Sequence, residues 1–163
     1  MAAMSDVLLR VGRLNYVWTN TESLLIYIIA HLLKIRKDAA IVVFLTLNTT
    51  RARIDLVERL AKLHSTPAAD RKAVLHAMSR MKKESKMRNK YNHCIYSFDD
   101  KGQISGTQLM RFVEDDKEIS YGKVERLDEK EIAALEKSIA EIVSISQSLW
   151  SFINASSHVS GKL

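Results

Sequence analysis

The stretch KMRNKYNHCIY, residues 86–96, crowds side chains suited to phosphate chemistry into one short segment. Arg88 can grip a phosphate through parallel N–H donors, and His93, five residues on, titrates near neutral pH and can move a proton. Such a pair suffices in principle to cleave RNA without a metal. The ribose 2′-hydroxyl is then the internal nucleophile, the imidazole acts as general base or acid, and the guanidinium neutralises charge gathering on phosphorus. Asn89 stands one turn before His93 on the same helix face, where its amide can fix the ring's orientation and tautomer, while Arg88 and Asn92 share another face.

Spacing by itself is weak support, because Arg59 with His64 and Arg71 with His76 repeat it. The third instance differs in its company of Asn89, Tyr91, Asn92 and Tyr96 at the end of a lysine run. Five residues of regular helix advance by about 500°, which sets Arg88 and His93 about 140° apart. They converge only through a helix break near Ser85, through the arginine's reach, or across a dimer interface. The competing reading is a surface arginine bonded to Asn92. Cys94 neighbours His93, but adjacent helix positions diverge by about 100°, so it reads as a buried structural thiol rather than a nucleophile.

The charge pattern points the same way. The chain of 163 residues carries a net charge of +6, yet residues 71–93 hold eight Lys or Arg against the single acid Glu84. Residues 99–141 instead hold twelve acids and seven bases. A basic section of this kind suits an anionic partner, nucleic acid first, with Lys82, Lys83, Lys86, Lys90, Tyr91 and Tyr96 as its binding residues; a solvated lysine-rich face is the plainer alternative. One cysteine excludes an intrachain disulfide and the thiolate zinc spacings, and the acid pairs Asp99/Asp100 and Asp115/Asp116 fall at turns, so neither metal nor cofactor is expected. The most apolar run, residues 24–33, is half the length a membrane span requires, and no signal peptide is recognisable. A cytoplasmic protein with no membrane partner is the expectation.

The elements that must position these residues read as helices. Val7, Val11, Leu14, Trp18, Thr21, Leu25, Ile28, Leu32 and Ile35 recur at spacings of three and four, all but Thr21 apolar, predicting a long amphipathic helix over residues 5–35. Asp38 caps AAIVVFLTL as a short helix, although this β-branched run also suits a strand; Thr49 or Thr50 opens RARIDLVERLAKLH, and Thr66 with Pro67 opens a helix reaching about Tyr96. Residues 95–126 change grammar to an extended excursion with a small hairpin, Asp128 with Glu131 forms a capping box, and a last helix runs to about Asn154 before a frayed tail, 155–163. Trp18, Tyr27 and Trp150 fall on apolar stripes and read as core. One proline and five glycines are too few turn residues for an all-β chain. The fold class expected is all-α, a single domain over 1–163 built as an antiparallel four- to five-helix bundle with a small β-hairpin insertion before the last helix.

The pattern Arg88-Asn89-x-x-x-His93, late in a helical chain whose first helix reads LNYVWTNTESLL, resembles the HEPN superfamily. That resemblance implies a small helical domain, metal-independent ribonuclease activity on single-stranded RNA, and a homodimer whose two motifs face one another across a cleft. It assigns catalysis to Arg88, Asn89 and His93, with Glu22 on the first helix a further candidate. Superfamily members without activity serve as interaction modules, so it equally admits a non-catalytic module binding an anionic ligand or a partner protein such as an antitoxin.

Overall fold

The computed structural model describes residues 4–156. Six helices lead and close the chain: α1 Met4–Ser23, α2 Leu25–Leu33, α3 Lys37–Thr46, α4 Thr50–Ala61, α5 Ala68–Asn92 and α6 Glu129–Ser156. Between α5 and α6 run five strands, β1 Cys94–Phe98, β2 Ile104–Leu109, β3 Phe112–Glu114, β4 Ile119–Tyr121 and β5 Val124–Arg126. The strands form two antiparallel sheets, one ordered β1-β2-β5 and one of β3 with β4.

The expected all-α bundle with one hairpin is therefore corrected to an α+β chain. Composition averaged over the whole sequence concealed the reason, since three of the five glycines fall between residues 102 and 122. Two of them mark where backbones close in. A Cβ on Gly122 would lie 2.1 Å from the Leu109 carbonyl oxygen, and one on Gly106 would lie 2.8 Å from that of Glu125. Those approaches let β5 return beside β2, pairing Gly106 with Arg126 and Gln108 with Val124, and make a third strand of what looked like a loop.

Two compact units divide the described residues, 4–16 with 85–140 and 17–84 with 141–156. In the first unit Val7, Leu14, Tyr91, Ile104, Leu127, Leu135 and Ile139 are buried. In the second, Trp18, Leu25, Ile28, Phe44, Ile54, Val57, Met78, Met81, Ile142, Ile145 and Leu149 are buried, at the three- and four-residue steps of amphipathic helices. Each such side chain contributes about 1.5–3 kcal/mol on leaving water. Trp150, expected in the core, is 44% exposed and lies against Tyr27 with ring centroids 5.8 Å apart.

The long first helix predicted over 5–35 is interrupted at Leu24, around which hydrogen bonds tighten to three-residue steps. It stops at Lys34, whose left-handed φ of 55° closes a Schellman turn with the Ile35 N–H on the Ala30 carbonyl. Thr49 caps α4 by accepting from the Ala52 N–H at 3.1 Å. Thr66 does not cap α5; its buried hydroxyl donates to the Leu60 carbonyl. Asp128 caps α6 through the Glu131 N–H at 2.9 Å. α6 extends to Ser156, and the rest of the expected tail, 157–163, lies outside the described residues. Among the described residues no helix is long and apolar enough to cross a membrane.

Candidate functional site

α5 runs without a break at Ser85 as far as Asn92, and His93 follows at its end. The His93 N–H still donates to the Asn89 and Lys90 carbonyls, while its own carbonyl accepts from the Met110 N–H at 3.1 Å. One residue thus finishes the helix and starts the three-stranded sheet. Its side chain is exposed, with no hydrogen-bond partner among the described residues.

Arg88 is half-buried one turn earlier, and amides hold it. Its Nη1 donates to Asn89 Oδ1 at 3.1 Å. With the Asn92 amide turned to satisfy both its ends, the Asn92 oxygen accepts from Arg88 Nε at 2.9 Å and Nη2 at 3.3 Å. The Asn92 nitrogen then donates to Asn15 Oδ1 on α1 at 2.7 Å. Three asparagines fix the guanidinium plane, and none carries charge. Asn89 serves the arginine here, rather than the imidazole as its spacing suggested. Asn15 was missed in the sequence. The only signal for it was a polar residue beside Leu14 on an otherwise apolar stripe.

The neighbouring cation is treated in the opposite way. Lys90 Nζ donates to both Glu125 on β5 and Glu131 on α6, and Tyr91 Oη donates to Glu131 Oε1 at 3.0 Å. Burial pulls the Lys90 ammonium down, but the two carboxylates outweigh it and its pKa lies above the usual value. Tyr91 is 3% exposed, and burial followed by the Glu131 charge pushes its phenol well up. Enclosed in this way, Tyr91 has no ring face open to a base. Its role is to fasten the last turn of α5 to α6, while Lys90 reaches both β5 and α6. Tyr96 donates to the Tyr91 carbonyl at 3.4 Å and is likewise raised by burial. Cys94 is half-buried, and burial pushes its thiol up, away from the thiolate that a nucleophile needs.

The remaining lysines divide. Lys82 is held by Glu58 at 2.6 Å and Asp55 at 3.3 Å, and those contacts raise its pKa. Arg80 donates to Glu141 at 2.7 Å and Ser144 at 2.9 Å. Lys83 and Lys86 are exposed. Much of the basic run is thus matched by acids distant in sequence. Glu22 belongs to a separate network in the second unit: it is 7% exposed and accepts from Thr50 Oγ1 at 2.8 Å and Arg53 Nη1 at 3.3 Å. Arg53 also donates to the Phe44 and Leu47 carbonyls and stacks on the Phe44 ring at 4.1 Å. That arrangement ties α1 to the α3–α4 connection and offers no open polar group.

No group of three or more His, Cys, Asp or Glu side chains converges as a metal site among the described residues. Comparison with protein-family models, with curated proteins and with solved structures finds no match.

Proposed function

We propose that the chain is a HEPN-like, metal-independent endoribonuclease, cytoplasmic and homodimeric, that cleaves single-stranded RNA at the exposed end of α5. One observation carries the reading. Arg80, Lys82 and Lys90 each face carboxylates, whereas the half-buried Arg88 is held, among the described residues, by neutral amides. An ion pair would spend the positive charge; amides orient the guanidinium and leave that charge for an incoming phosphate. The exposed His93 imidazole lies five residues on, past the helix end.

In this reading Arg88 clamps the scissile phosphate, with Asn89 and Asn92 as positioning residues. His93 takes the proton from the 2′-hydroxyl as its oxygen bonds to phosphorus, and the P–O5′ bond breaks. The departing 5′ oxygen takes a proton from the His93 of a second copy, leaving a 2′,3′-cyclic phosphate and a 5′-hydroxyl. Lys83 and Lys86 supply further attraction for the strand. The test is cleavage of single-stranded RNA in EDTA. Wild type should yield cyclic-phosphate ends and His93→Ala should lose about 10²–10⁴ in rate. Cleavage undiminished in the variant, or absent from wild type, would overturn the reading.

A second reading, a non-catalytic interaction module, is favoured by the continuous exposure of residues 110–121, where Met110, Phe112, Val113, Ile119 and Tyr121 lie in water. It expects His93→Ala to leave no activity to lose.

A further inference from the structure

The β3–β4 hairpin stands apart from the first unit's other sheet. Its strands pair only with each other among the described residues, so both its edges carry unmatched backbone groups. The register Phe112 with Tyr121 and Glu114 with Ile119 gathers Phe112, Tyr121 and Ile119 on one face, with Glu114 at its tip end and the two aromatic rings 5.3 Å apart. These side chains are 68%, 71% and 62% exposed. A lone two-stranded hairpin is at best marginal in water, and an apolar face of this density marks a contact surface.

Charge along the hairpin identifies what covers it. The tip holds Glu114, Asp115, Asp116 and Glu118 against Lys117, while the base carries Arg111 and Lys123 with no acid between them and the strands. The tip is built to stay acidic, for Asp115 accepts from the Lys117 and Glu118 N–H groups, which lower its pKa. A surface acidic at one end and basic at the other is complementary to itself when reversed. A two-fold axis supplies that reversal.

We propose that the hairpin is a self-association surface: two copies lay their β3–β4 hairpins antiparallel, apolar face to apolar face, each acidic tip against the other's Arg111 and Lys123. The proposal goes beyond the ribonuclease reading and does not require it, since it uses neither the Arg88 nor the His93 side chain. The hairpin offers fewer residues than the roughly 20–30 a side of a standard interface, so association should be reversible and concentration-dependent.

Sedimentation equilibrium of the full chain across a range of concentrations tests it. Wild type should move from one to two chains per particle. Arg111→Glu with Lys123→Glu should weaken association at least tenfold, and adding Glu114→Lys, Asp116→Lys and Glu118→Lys should restore it, a rescue that a folding defect does not produce. Wild type that stays monomeric, a dimer indifferent to the first reversal, or a weakened dimer that the full swap fails to restore would each overturn the proposal. RNA cleavage measured on the same variants separates this outcome from that of the ribonuclease reading.

Discussion

Replacing Tyr91 with phenylalanine removes one oxygen from a side chain that is 3% exposed and leaves the ring in place. The lost bond runs 3.0 Å to the Glu131 carboxylate, and hydrogen bonds to ionised groups contribute about 1.5–3 kcal/mol. Glu131 keeps its contact with Lys90, so its charge is not stranded, and the lower part of that range applies. Tyr91→Phe should therefore cost about 1.5–2 kcal/mol. For a chain of this length that corresponds to a fall in Tm of roughly 4–6 °C. Glu131→Gln should cost a similar amount, because Lys90 retains Glu125. The double variant should cost less than the two singles together, by about 1 kcal/mol, since both delete the same bond. Urea unfolding followed by far-UV circular dichroism is the appropriate assay, as both tryptophans lie in the second unit and fluorescence would report there. A Tyr91→Phe protein within about 0.5 kcal/mol of wild type, or a cycle that closes within about 0.3–0.5 kcal/mol of additivity, would refute the view that this network holds the end of α5.

Raising the pH should destabilise the fold above about 10: Lys90 is raised, so its contribution is lost as pH climbs through its folded value, and Tyr91 and Tyr96 are raised, so their ionisation favours the unfolded chain. Tyrosinate absorbance should show Tyr91 and Tyr96 ionising together with unfolding. At the acid end Glu125 and Glu141 are lowered by Lys90 and Arg80, so stability present above about pH 4.5 should decline as pH falls below it, read by thermal melts across the range. Arg53→Ala should cost about 3 kcal/mol by leaving Glu22 buried with Thr50 alone, and Arg53→Lys should not restore it, because an ammonium cannot bond both carbonyls while stacking on Phe44; denaturant midpoints decide this. Lys34→Gly should stabilise by about 0.5–1 kcal/mol by relieving the left-handed backbone, and an unchanged or lower Tm would contradict that.

Much of the helical part was legible from periodicity. The stripe through Ile54, Val57 and Leu60 is buried as α4, and Asp128 caps α6 as its type and place suggested. The interruption at Leu24 and the stop at Lys34 were not legible, because neither residue carries a breaker's chemistry; the turns there are imposed by what the flanking helices bury. The β region was read as one hairpin because β5 is three residues long, too short for alternation to register, and its pairing with β2 depends on the close approach at Gly106 and Gly122. At the candidate site the residue types were legible and their duties were not: Asn89 was assigned to the imidazole and holds the guanidinium, while Tyr91 looked available and is enclosed.

By itself the sequence determined that most of the chain is helical, that the only cysteine has no disulfide partner, and that an arginine, asparagines and a histidine stand together near one helix end, because these depend on residue type and on neighbours within a turn or two. Only the tertiary structure decided which positive charges remain unspent. Lys82 meets Glu58 from 24 residues away, Lys90 meets Glu125 and Glu131 from 35 and 41, and Arg80 meets Glu141 from 61, whereas Arg88 meets amides. Coulomb attraction depends on distance through space and on the water excluded between the groups, and a linear pattern records neither.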